Sequence, residues 1–227
     1  MMKRSTINHI LAESEAFIST FGYVLPPFAF WSPEEMRAKR PHRVLERALG
    51  WDVTDYDQGR FDDLGLVLFT VRNGLASDLG QARGMLYAEK IMISGVKQIC
   101  PMHRHNVKAE DIINRGGGSL VLHLFASGPD GDIDDTSPVT VDVDAERRTL
   151  PAGSHLSLQP GESVTLLPGT WHAFWAEGTD VLVGEVSTVN DDLTDNVFED
   201  PIGRFSDIDE DVPPRRLLVS DYQTSML

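Results

Sequence analysis

Four residues constrain this chain more than any others: His103 and His105 one residue apart, Glu110 five positions further on, and His172 behind the Pro168-Gly169 turn. In an extended strand, residues i and i+2 project from one face, so His-Arg-His presents two imidazoles side by side. Three imidazoles and a carboxylate suit a first-row transition metal, and four protein ligands leave positions open on an octahedral ion. An open metal is a catalytic metal. The pattern calls for a fold in which strands remote in sequence converge on one centre.

The rest of the chain supplies such strands. The first fifty residues are predicted helical: Ser5 or Thr6 caps a helix through Ile7, Ile10, Leu11, Phe17, Ile18 and Phe21, with Gly22 as terminator. Ser32-Pro33-Glu34-Glu35 supplies an N-cap, a first-turn proline and a capping-box glutamate. A short helix through Val44, Leu45 and Leu49 is expected to end at Gly50. From about residue 63 the period changes to that of strands, first through Leu64, Leu66 and Leu68 alternating with Val67, Phe69 and Val71. Further strands are predicted at 85–94, 97–105, 118–125, 138–143, 154–158, 163–167, 171–176, 180–187 and 215–222. Gly116-Gly117-Gly118, Pro151-Ala152-Gly153, Pro160-Gly161 and Pro168-Gly169 are read as the turns between them. Many short strands with such punctuation indicate a sandwich or small barrel. One domain over 1–227 is expected, with a helical segment at 1–60 and a β-barrel with a C-terminal tail at 61–227.

Charge narrows the partners. A net charge of −15 disfavours nucleic acid and anionic membranes, both of which need clustered positive charge, and is compatible with a neutral sugar. The lone Cys100 excludes an intrachain disulfide and fits a reducing compartment. The basic start lacks a following apolar stretch, and no apolar run reaches membrane-spanning length, so a cytoplasmic location is expected. Cys100 lies an odd number of residues from His103, which predicts a buried thiol on the opposite face of the strand. His123 and His155 are read as structural, His9 and His42 as surface residues.

The line Gly95-(x7)-His103-Arg-His105-(x4)-Glu110-(x6)-Gly117, then Gly161-(x6)-Pro168-Gly169-Thr-Trp-His172, resembles the two-part cupin signature. It departs from that signature in its Pro-Gly order and in Ala176, where an Asn is usual. Longer blocks are more specific: Tyr87-Ala-Glu-Lys-Ile-Met92, Pro101-Met-His-Arg-His105, Lys108 through Gly118, His172-Ala-Phe-Trp175 and Gly184 through Asp192, with the Leu25-Pro-Pro-Phe28 lead. These resemble the D-lyxose isomerase family over most of the chain. The resemblance implies a cupin-type β-barrel (jelly-roll) with an N-terminal helical segment. It also implies a homodimer and manganese-dependent interconversion of D-lyxose with D-xylulose, and often of D-mannose with D-fructose. By matching positions it implies His103, His105, Glu110 and His172 as manganese ligands; the donor set also accepts Co2+, Fe2+, Ni2+ or Zn2+.

Aldose–ketose isomerisation needs a base and a group to polarise a sugar oxygen. Glu185 is the leading base, because it interrupts the apolar run Val181, Leu182, Val183, Val186, and Lys108, between the ligands, is the expected electrophile. Lys90, Trp175 and Asp192 are the expected sugar contacts. Of Lys90 and Glu89 at most one can point inward, and Asp191 is open between a sugar contact and a loop carboxylate. Trp171, Phe174 and Trp175 surround His172, and alternate ones must face the barrel interior. Two other readings use the same ligands: an iron-dependent cupin dioxygenase, and a sugar-binding cupin without turnover.

Overall fold

The computed structural model describes residues 1–225. Helix α1 (Arg4–Thr20) buries Ile7, Leu11, Ser14 and Ile18, one stripe at helical spacing. It starts at Lys3 without a side-chain cap, ahead of the expected Ser5 or Thr6, and Gly22 at φ 69° ends it. Helix α2 (Pro33–Lys39) opens on the expected capping box: Glu35 N–H donates to Ser32 Oγ at 3.2 Å and Ser32 N–H to Glu35 Oε2 at 2.9 Å. Helix α3 (His42–Glu46) follows.

The strands in chain order are β1 (Met2–Lys3), β2 (Gly50–Thr54), β3 (Leu66–Arg72), β4 (Tyr87–Ser94), β5 (Cys100–His105), β6 (Glu110–Ser127) and β7 (Ile133–Asp134). They continue as β8 (Val139–Val143), β9 (Glu146–Leu150), β10 (Ser154–Leu158), β11 (Ser163–Leu166), β12 (Trp171–Thr188), β13 (Asn196–Phe198) and β14 (Ile208–Asp209). The main antiparallel sheet runs β2-β3-β4-β12-β6-β11-β8-β9, with β10 also on β6, β5 on β12 and β13 on β5. This is the mainly β, cupin-type architecture the sequence suggests.

Strands β6 and β12, of 18 residues each, make the barrel. The first half of β12 pairs with the second half of β6 and with β5, and its second half pairs with the start of β6 and with β4. The sheet thus folds over itself along these two strands. The bend falls where the register slips between Glu177 and Val181, opposite Gly117. A Cβ on Gly117, at φ 106°, would lie 2.1 Å from the Asp180 carbonyl oxygen, so only glycine fits. Gly116-Gly117-Gly118 therefore kinks a continuous strand rather than separating two, and the predicted strands at 171–176 and 180–187 are halves of one.

Strand β3 shows why its sequence lacks polar alternation. Leu66 and Leu68 face the barrel interior, while Val67, Phe69 and Val71 pack under α1, so both faces are buried. Residues 1–60 are not uniformly helical: β2 lies within them and forms the edge of the main sheet. Trp51, Val53 and the rest of β2 are buried and paired with β3, and Gly50, expected to end the preceding helix, is the first residue of the strand. Residues 215–222, expected as a strand, hold a 3-10 turn at Val219–Asp221 and a single parallel bridge, Trp51 to Leu218. No helix among the described residues is long and apolar enough to cross a membrane.

Candidate active site

Inside the barrel, β5 carries His103 and His105, β6 begins at Glu110, and His172 lies opposite His103 across the β12–β5 pairing. All four are buried. One nitrogen of each imidazole lies within 4.8 Å of those of the other two. The outer nitrogens are tied to the backbone: His103 Nδ1 donates to Pro101 O at 2.8 Å, His172 Nδ1 to Thr170 O at 3.0 Å and His105 Nδ1 to Asp195 O at 3.3 Å. A carbonyl can only accept, so these contacts place the proton on Nδ1 and leave Nε2 as a lone-pair donor.

Glu110 Oε1 sits 3.3 Å from His105 Nε2 and 3.2 Å from His172 Nε2. Close as they are, His105 Nε2 and Glu110 Oε1 take part in no hydrogen bond, and both are buried. Leaving such atoms unpartnered costs about 1–3 kcal/mol each, a cost a coordinated cation removes. Burial and the neighbouring imidazoles push the His103 pKa well below its usual value, so the ring is neutral, as a ligand must be. Burial opposes the Glu110 charge, but Lys108 and His105 outweigh it and hold the carboxylate far below the usual range. The three histidines and this carboxylate fit a divalent transition metal.

From Glu110 a line of alternating charges crosses the cavity. Lys108 Nζ is 2.7 Å from Glu110 Oε2 and donates to Glu185 Oε1 at 3.0 Å. Lys90 Nζ lies 3.7 Å from the same Glu185 oxygen and 3.4 Å from Asp192 Oδ1. Burial works against the Lys108 charge, yet Glu110 and Glu185 keep its pKa above the usual lysine value. Burial likewise opposes ionisation of Asp192, and Lys90 and Arg204 overcome it, leaving the carboxylate depressed. The arrangement offers a fixed carboxylate and a fixed ammonium side by side at the metal site, which is the equipment for moving a proton next to a polarised oxygen.

The D-lyxose isomerase family model matches residues 2–222. The chain belongs to the D-lyxose isomerase family. The protein is an isomerase. It is 47% identical to a D-lyxose/D-mannose isomerase of Serratia proteamaculans, covering 97% of this chain and 98% of that one. It is 46% identical to a D-lyxose/D-mannose isomerase of Escherichia coli O157:H7, over 98% and 99% of the two chains. In fold, the isomerase resembles the L-ribose isomerase of Cellulomonas parahominis, with a TM-score of 0.60 at 20% identity over 92% and 98% of the chains. The L-ribose isomerase of Acinetobacter sp. DL28 superimposes similarly, with a TM-score of 0.62 at 16% identity over the same shares.

The structure gathers His103, His105, Glu110, His172, Lys108, Glu185, Lys90 and Asp192 around one cavity. Glu89, as the strand alternation requires, points the other way, accepting from Tyr23 Oη at 2.9 Å and pairing with Arg72. Asp191 turns into its own loop, accepting from the N–H groups of Leu193 and Thr194. Trp175 is not brought to the cavity, because alternation along β12 puts it on the face opposite His172 and Phe174. Its ring lies 5.2 Å from His155 and its Nε1 donates to Glu177 on the outer face. Phe174 is the aromatic next to His172 that lines the cavity, whereas Trp171 donates to Gly131 O.

Cys100 is a correction. It lines the same cavity as His103, not the opposite face, because two residues of β12 span three of β5 between the His172–His103 and Phe174–Cys100 pairs. This bulge inverts the parity that the count of residues assumed. The thiol is buried as expected, 3.4 Å from Tyr56 Oη, and desolvation pushes its pKa up to about 12.

Sequence reasoning missed four lining residues, Tyr56, Asn196, Phe198 and Arg204. It also missed Asp195, whose carboxylate accepts the N–H groups of Asn106, Val107 and Lys108 and so fixes the turn that carries Lys108. No spacing rule marks an aspartate that braces a turn remote in the chain. Only the neighbouring Asp191-Asp192 pair, at the end of a family-like block, pointed to this loop.

Proposed function

We propose that the protein interconverts D-lyxose with D-xylulose, and D-mannose with D-fructose, by proton transfer through a cis-enediol at a divalent-metal site. The observation that carries this reading is the buried Glu185–Lys108 pair, 3.0 Å apart, beside the three-histidine cradle and Glu110. Glu185 removes the proton from C2 of the open-chain aldose and returns it to C1, while O1 gains a proton from the Lys108 ammonium and O2 returns its hydroxyl proton to the lysine, so carboxylate and ammonium both end as they began. Lys108 Nζ donates a hydrogen bond to the carbonyl oxygen as negative charge grows there. Bound at His103, His105, Glu110 and His172, the metal supplies Lewis-acid stabilisation of that developing charge. Manganese is the ion of choice in this reading; oxygen-rich substrate contacts and an N3O cradle support it, while the Irving–Williams order leaves other ions able to bind in a test tube.

The cavity is partly open to solvent, which gives a sugar a way in. Asp192 lines both this cavity and an outer groove bounded by Leu45, Asn73, Leu193 and Phe205, and so stands between the two. A cytoplasmic homodimer belongs to the same reading, supported by the single reduced thiol and by the family resemblance; sedimentation at micromolar concentration measures the assembly.

The deciding experiment assays D-lyxose-to-D-xylulose and D-mannose-to-D-fructose conversion on chelator-stripped protein with each metal restored in turn. Turnover that returns with manganese supports the reading. Full activity in the stripped protein, or none with any metal, sinks it.

A further inference from the structure

The cavity has an end that chemistry at C1 and C2 does not use. Beyond Asp192 the line of charges continues: Arg204 Nε is 3.6 Å from Asp192 Oδ1, and Arg204 Nη1 is 2.7 Å from Asp52 Oδ2 on β2. From Glu110 to Asp52 it thus alternates four carboxylates with three cations. Arg204 is held from several sides. Its guanidinium lies 4.9 Å from the Phe205 ring, its carbonyl accepts from Thr54 Oγ1 at 3.0 Å, and the next segment is pinned by Asp55 N–H donating to Ser206 Oγ at 2.8 Å. The end of β2 therefore fixes both the backbone and the charge of Arg204.

This pair is poorly made as a stabilising device. Asp52 is 3% exposed, yet neither of its carboxylate oxygens nor Arg204 Nη1 has an aligned hydrogen bond. A buried ion pair offsets its desolvation only with good geometry, and an arginine placed for stability forms a bidentate fork. What the pair does supply is a fixed position for Asp192, which stands in an irregular loop at the cavity wall.

We propose that Asp52 and Arg204 are positioning residues that hold Asp192 against the sugar hydroxyls remote from C1, so that the site selects the configuration at C4. The inference rests on the isomerase reading above. With C1 and C2 at Lys108 and Glu185, an open-chain aldose extends its C3 to C5 portion toward Lys90 and Asp192, the next charges along the line. D-lyxose and L-ribose share their configuration at C2 and C3 and differ at C4. In one epimer the C4 hydroxyl donates to Asp192, whose oxygens already accept from Lys90 and Asn190; in the other it points away and forgoes that charge-assisted hydrogen bond after being taken out of water. Sites built to hydrogen-bond a hydroxyl discriminate through that penalty.

The test compares the metal-restored wild type with Asp52→Asn, Arg204→Met and Arg204→Lys, measuring kcat and KM for D-lyxose and L-ribose. In parallel, calorimetric titration uses the unreactive reduced forms of the two aldoses, D-arabinitol and ribitol. Asp52→Asn is expected to raise KM for D-lyxose about tenfold with kcat within about twofold, the signature of lost binding shared by ground and transition states. The preference for D-lyxose over L-ribose narrows in step, Arg204→Met narrows it further, and Arg204→Lys falls between wild type and Arg204→Met. Unchanged KM and preference in folded variants overturns the proposal, as does a parallel fall in kcat for both epimers, which marks a structural role. Should the wild type turn over neither sugar, the isomerase reading fails while the polyols still decide this one: selectivity for D-arabinitol that the variants lose supports it, and selectivity absent from the wild type or intact in the variants overturns it.

Discussion

Arg4 and the charges of the cavity are both buried, yet their polar atoms are treated differently. Arg4 holds the start of α1 to the C-terminal region: its Nε and Nη2 donate to Glu210 at 2.9 and 2.6 Å, and its Nη1 and Nη2 to Asp221 at 3.1 and 2.8 Å. Asp221 in turn accepts the Leu218 N–H at 2.8 Å. Nothing there is left over. In the cavity and on β2 behind it, His105 Nε2, Glu110 Oε1, both Asp52 oxygens and Arg204 Nη1 lack hydrogen bonds while lying near partners of opposite charge. Around Arg4 saturated charge ties elements together; along the cavity the unsaturated atoms belong to the metal cradle and to the pair that positions Asp192.

The contrast breaks most visibly at the metal ligands. Glu110→Ala or His172→Ala is expected to abolish isomerisation and bound metal, measured by turnover and elemental analysis, with far-ultraviolet circular dichroism unchanged. Retained activity would show that these unpartnered atoms serve no ligand. Glu185→Gln keeps shape and removes the base, so kcat should fall by about 10² to 10⁴ with metal content unaltered. Isomerising D-mannose in deuterated water sharpens the same point: label at the transferred position is expected of proton transfer, and complete absence of label favours a hydride shift.

The satisfied network should respond in stability instead. Arg4→Met strands Asp221 in a buried position and is expected to cost about 3–5 kcal/mol in urea unfolding, with kcat per folded molecule unchanged. A loss of kcat at full stability would erase the distinction between the two clusters. The smallest effect is one of pH. The hydrogen bond from Arg4 depresses the Glu210 pKa below its usual 4.5. Its contribution is thus complete above about pH 4.5 and disappears as pH falls through the lower folded-state value. Because Glu210 is more than half exposed, the difference between wild type and Glu210→Gln across that acid window should stay under about 1 kcal/mol.

The convergence of His103, His105, Glu110 and His172 was legible because strand periodicity acts locally around His103 and the Pro168-Gly169 turn lies three residues before His172. Parity failed at Cys100, where a bulge adds a residue that no composition signal marks. Gly116-Gly117-Gly118 looked like punctuation because a glycine run serves a turn or a tight bend equally well, and only the Asp180 carbonyl facing Gly117 separates them. The Trp175 ring went to the outer face because β12 alternates and His172 and Phe174 already occupy the inner one. Asp52 and Arg204 lie 152 positions apart in the chain, and a partnership that depends on an edge strand hidden in an apparently helical region leaves no pattern to read.

Strand β12 delivers both His172 and Glu185, one on each side of its kink. The separation of cation and base is therefore set by a single ribbon and the angle at its corner, like two marks on a bent ruler. Random libraries that seek faster or altered turnover have reason to include Glu177 to Asp180 while keeping the facing Gly117 and Gly118, since a small change of angle there resets the spacing without touching any group that meets the sugar.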